Sequence, residues 1–138
     1  MFITESELKS VAYSYQLSQI VESDPTIIQM AINAAVEEVT GYLSSRYDCT
    51  RIFSAENDDR NPLVLEMTKD VALWYIIRLS NVDMIYDSVK ERYDRAIEYF
   101  NRVAQGLVSP NLPKITGDDG EAQYPIRCGS MPKQTYDY

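Results

Sequence analysis

The chain has 138 residues, 45% of them hydrophobic and 25% charged, with a formal net charge of −8. These proportions are those of a globular domain with enough chain to bury a core, and they exclude a disordered polypeptide. No apolar run nears the roughly 20 residues that cross a bilayer, and the acidic opening Met1–Glu7 lacks the basic and apolar regions of a signal peptide, so folding in a cytoplasm is expected.

Residues 1–60 carry ten acidic side chains against four basic ones, and the remainder is near balance. Such an acidic half disfavours phosphate backbones, so sequence-specific nucleic-acid binding is not expected. Histidine is absent, which removes the commonest general base and metal ligand. The two cysteines, Cys49 and Cys128, are too few and too far apart for a disulfide framework. They read as free thiols, and a structural zinc site lacks ligands.

In chain order, Thr4-Glu5-Ser6-Glu7 opens the first helix, with Thr4 as cap and Glu7 reaching back to close a capping box. Leu8, Val11, Ala12 and Tyr15 follow at helical spacing, then a second short apolar set at Leu17, Ile20 and Val21, giving one or two short helices. Asp24-Pro25 starts the next helix, because Asp caps well and the missing N–H of Pro costs nothing in the first turn. Its stripe is Ile28, Ile32, Ala35, Val39 and Tyr42 or Leu43, and it should run to about Ser45. Residues 46–61 read as a polar loop, long for a compact domain.

Asn61-Pro62 opens a third pattern by the same logic, and its apolar residues from Leu63 to Leu79 cover nearly the whole circumference. A helix of that kind is central in a bundle or covered by other subunits. The last helix begins near residues 81–83 and ends at Gly106, a natural residue just beyond a helix terminus. Tyr86, Val89, Tyr93, Ala96 or Ile97, Phe100 and Val103 or Ala104 form its seam. Glu91 with Arg95 and Glu98 with Arg102 lace the solvated side.

Beyond Gly106 the pattern gives way to Pro110, Pro113, Gly117, Gly120, Pro125, Gly129 and Pro132. Asp119-Gly120 could turn a short β-hairpin, marginal on its own in water. The expectation is therefore an all-α fold, a bundle of about four helices over residues 1–106, with an irregular C-terminal arm over 107–138. The arm either frays or orders against a neighbour.

Little in the chain offers chemistry. Glu37 and Glu38 are adjacent, so they point roughly 100° apart on a helix and read as a solvated face. Asp58-Asp59 and Asp118-Asp119-Gly120-Glu121 lack the spaced ligands of a calcium loop and read as turns. Cys49 has no base beside it and reads as a small buried apolar residue. A Gly-x-Ser-x-Gly elbow, a phosphate-cradling loop and a basic stripe with aromatics are all missing, so no catalytic set, metal site or cofactor is expected. The chain has eleven tyrosines. Those in helices should line the core edge with hydroxyls outward, while Tyr124, Tyr136 and Tyr138 suit a covered surface. Ile115, Tyr124 and Ile126 are the candidate interface anchors.

Three stretches taken together resemble the family of the phage Mu neck protein. These are Met1-Phe2-Ile3-Thr4 leading to Leu8, then Val39-Thr40-Gly41-Tyr42-Leu43-Ser44-Ser45-Arg46-Tyr47, and last Pro62 and Asp70–Tyr75 with Glu91–Ile97 and Gly106. They span about residues 1–110, and the segment after Pro113 has no counterpart in the resemblance. The resemblance implies a structural virion protein made in a bacterial host, a head–tail connector assembling as a ring, typically twelve-fold. Its implied partners are other copies of itself, the portal protein, and tail or head-completion proteins, with no membrane and with DNA passing through the channel. From the residues alone, an acidic helical module that binds or inhibits a nucleic-acid-handling partner is the rival reading.

Overall fold

A computed structural model describes residues 2–8, 26–80 and 86–115. Helix α1 spans Glu5–Leu8, α2 Thr26–Leu43, α3 Cys49–Ser54, α4 Pro62–Ser80 and α5 Tyr86–Ala104, with a 3-10 turn at Asn57–Asp59. Among the described residues the regular structure is helical, apart from one isolated antiparallel bridge between Tyr47 and Lys114. The all-α expectation holds.

The start of α1 is the predicted capping box. Thr4 donates through its N–H and its hydroxyl to Glu7 Oε2, both at 2.9 Å, and the Glu7 N–H returns to Thr4 Oγ1 at 3.4 Å. The predicted Asp24-Pro25 start and the apolar set at Leu17, Ile20 and Val21 lie outside the described residues. The α2 stripe emerges as read from its spacing, with Ile28, Ile32, Ala35, Val39 and Leu43 buried and Ala31 added.

Helix α4 packs on both α2 and α5, which also touch each other. Its near-continuous apolar surface follows from that central place. Val64, Val71, Ala72 and Ile76 meet the α2 stripe and Ala96, Phe100 and Val103 of α5. On another side, Leu73, Trp74 and Ile77 meet Val89 and Tyr93, with the Trp74 and Tyr93 rings stacked 5.2 Å apart. Each buried aliphatic side chain in such a core contributes about 1.5–3 kcal/mol. Two polar residues inside the core are satisfied locally. Thr68 donates to Val64 O at 2.7 Å, and Lys69 reaches Glu66 at 2.7 Å.

The single polar loop expected over residues 46–61 is not what forms. Asp48 caps α3 by accepting from the Arg51 N–H at 3.2 Å. Ile52 then buries, and the Phe53 ring meets Phe2 edge-on at 4.9 Å. Six residues are too few for helical periodicity to stand out, and the capping Asp sits in a polar run that reads as loop. The α5 terminus behaves as predicted. Gly106 has φ +79°, its N–H bonds to Val103 O at 3.0 Å, and the Leu107 N–H bonds to Arg102 O at 2.9 Å. This paired arrangement is the Schellman motif, which satisfies carbonyls that the helix leaves open.

Candidate functional site

The described part of the arm returns to the bundle where α2 and α5 finish and α4 begins. Leu112 is only 8% exposed and joins the main core. The Asp48 N–H donates to Pro113 O at 2.9 Å, and the Ile115 N–H reaches Arg46 O at 3.5 Å. Together these bonds make the bridge between Tyr47 and Lys114. Asn61 serves two ends at once. Its Oδ1 caps α4 by accepting from Leu63 and Val64, both at 3.1 Å, and its Nδ2 donates to Asn111 O at 3.2 Å.

Arg46 finishes the α2 turn and lays its guanidinium over Gly106. A Cβ at position 106 would lie 2.5 Å from Arg46 Nη2 and displace that flexible side chain, while the φ of +79° is what favours glycine here. The cation also sits where the last carbonyls of α5 concentrate partial negative charge. Beside it, Leu107 is 72% exposed, and Leu63 at the start of α4 is 47% exposed. Of the predicted anchors, Ile115 is half-buried at this end, and Tyr124 and Ile126 lie outside the described residues. Sequence reading missed Arg46, Asn61 and Leu112 as parts of one corner. The only advance signals were the Asn-Pro cap and an isolated leucine between two prolines.

A second polar centre lies between α2, α4 and α5. The Tyr93 hydroxyl donates to Glu38 Oε1 at 2.7 Å, while Glu38 Oε2 is buried with no hydrogen-bond partner within ordinary geometry. Burial and the nearby Glu38 charge push the Tyr75 hydroxyl up to about 12, and they raise Tyr93 further still. Two expectations are corrected here. Glu37 is exposed as predicted, but Glu38 is not on a solvated face, and the Tyr93 hydroxyl points inward rather than outward. The cause is the meeting of three helices, which turns an otherwise solvent-facing carboxylate toward a phenol.

The Glu7 carboxylate, by contrast, is held in an ion pair. Arg60 bonds both oxygens of Glu7, at 2.6 and 3.0 Å, and its hydrogen bonds draw that carboxyl down to about 2. Burial, with the Asp48 charge adding to it, pushes the Cys49 thiol up to about 11, so this free cysteine is a poor nucleophile at neutral pH. Asp58 and Asp59 lie exposed in the 3-10 turn. Among the described residues, no group of three or more His, Cys, Asp or Glu could hold a metal ion. No described helix is long and apolar enough to cross a membrane.

The family model described as Bacteriophage Mu, Gp36 matches residues 2–124. The chain belongs to that family. The match takes in the helical bundle and the beginning of the arm, and it supports a structural or morphogenetic role in a phage. No curated protein and no solved structure matches the chain.

Proposed function

We propose that this protein is a head–tail connector, or neck, adaptor. Copies of it form a ring beneath the portal and join the DNA-filled head to the tail. Membership of the Mu Gp36 family over residues 2–124 is the observation that carries the reading. The fold is compatible with it in a specific way. The helices share one buried core, and the described arm up to Ile115 lies against it at the corner of Arg46, Asn61 and Lys114, an end of the bundle that a neighbour can engage.

Function of this kind is positional, with no bond made or broken. Identical subunits meeting head to tail close into a ring when the rotation between them divides a full turn, here into a twelve-fold ring. Portal protein above and tail or head-completion proteins below complete the contacts. The acidic half of the chain, ten acids against four bases in residues 1–60, lets DNA slide through the channel without adhering.

The test is genetic and compositional. A phage or prophage carrying a null allele should accumulate full heads and free tails that do not join. Mass spectrometry of wild-type particles should find the protein in the virion, and labelled antibody should mark the neck. Infectious particles that lack the protein would overturn the reading.

A further inference from the structure

The geometry points to a specific self-contact: the end of the bundle carrying Leu63, Leu107 and Arg46 receives residues 116–138 of a second copy of this chain. This rests on the self-assembling connector reading and specifies which surfaces meet. Four observations lead to it.

First, the apolar surface is in the right place. Leu107 and Leu63 are the exposed leucines at this end, and Asn61 and Asn111 tie their neighbourhoods together. Second, Ser44, Arg46 and Tyr47 have no backbone N–H group to offer a longer ladder. The arm lies in antiparallel register with residues 46–48, but those N–H groups are already bonded to Thr40 O, Leu43 O and Leu43 O. Among the described residues the pairing is therefore a single bridge, and these N–H groups cannot lengthen it.

Third, charge is complementary. The Arg46 guanidinium makes no ion pair among the described residues, and the arm just past Ile115 carries Asp118, Asp119 and Glu121, with Tyr124 and Ile126 following as aromatic and aliphatic contacts. Fourth, the reach suffices. At roughly 3.3 Å per residue, residues 116–138 can extend on the order of 70 Å, against a radius of gyration of roughly 13 Å for a domain this size.

Cross-linking tests the contact on the full-length chain. In a background with Cys49→Ser and Cys128→Ser, Leu107→Cys is placed in one preparation and Tyr124→Cys in another. The two are mixed at high concentration with a short bis-maleimide, and the pair is also co-expressed during particle assembly. A product of about twice the 15.8 kDa chain mass, formed from the mixture at least tenfold more than from either variant alone, is expected. A further Arg46→Gln change should cut that yield several-fold, and raised salt should do the same. A chain carrying both Leu107→Cys and Tyr124→Cys that, in assembled particles, cross-links only within itself would overturn the proposal, because the arm would then lie on its own subunit. Absence of the inter-chain product from both settings would overturn it too. If the protein is present in particles, that failure leaves the connector reading standing, whereas an inter-chain product with no protein in particles defeats only the connector reading.

Discussion

Arg60 and Glu7 are 53 positions apart in sequence and meet through two hydrogen bonds, 2.6 Å from Nη2 to Oε1 and 3.0 Å from Nη1 to Oε2. The same Nη1 donates to Phe2 O at 2.8 Å, so one guanidinium holds the amino-terminal segment against the turn that precedes α4. Phe2, Ile3 and Leu8 are buried as a result.

This pair makes stability depend on acid. The Glu7 carboxyl is drawn from its ordinary 4.5 down to about 2 by the Arg60 hydrogen bonds. A depressed carboxyl stabilises the fold above its unfolded pKa, and the contribution is lost as pH falls from about 4.5 through about 2. After solvent screening it amounts to on the order of 1–2 kcal/mol. Arg60→Ala should lower the unfolding free energy measured by urea denaturation at pH 7 by at least that much, and the gap between variant and parent should narrow as pH falls toward 2, leaving the share due to the Phe2 bond. A pH-independent gap would show that the pairing contributes little.

The Glu38 centre predicts the opposite pH sense. Tyr75 and Tyr93 are held neutral, first by burial and then by the Glu38 charge, with Tyr75 raised from 10.0 to about 12. Stability from these phenols is full below pH 10 and is lost as pH rises toward and past 12. Ultraviolet titration should therefore show late-ionising tyrosines that appear only as the helices melt. Glu38→Gln should bring their ionisation to lower pH. Tyr93→Phe, which leaves a buried carboxylate oxygen without its donor, should cost about 1–3 kcal/mol.

Two glycines should behave in opposite ways. Gly106→Ala meets both a positive φ of +79° and the Arg46 guanidinium, so the expected loss exceeds about 1 kcal/mol. Gly41 lies in α2, where a Cβ would meet nothing within 4 Å, and Gly41→Ala should stabilise by about 0.5–1 kcal/mol. Thermal melts by circular dichroism distinguish the two directly.

Residues 107–115 pack against the bundle, so truncations at Gly106 and at Ile115 should differ. A chain ending at Gly106 loses the buried Leu112, the Asn61–Asn111 bond and the Asp48–Pro113 bond, and should be destabilised by about 2–4 kcal/mol. A chain ending at Ile115 keeps all of them and should melt within a few degrees of the full-length protein. Comparing both truncations for melting and for particle completion separates a folding defect from a joining defect.

Local chemistry was readable in advance because its partners are three or four residues apart. The Thr4–Glu7 box, the Asn61 cap, the Gly106 terminus and the buried stripes of α2 and α5 all depend on the spacing of one helix turn. Family resemblance likewise lay in the order of those short stretches. What could not be read was which faces would meet. Periodicity marks Glu38 as off the apolar stripe but says nothing of a phenol arriving from 55 positions away. It equally hides a six-residue helix between two longer ones, and an arginine spread over a glycine far along the chain. Those pairings exist only once helix axes cross at fixed angles and bury their shared surface, and that geometry is a property of the packed core and not of any single segment.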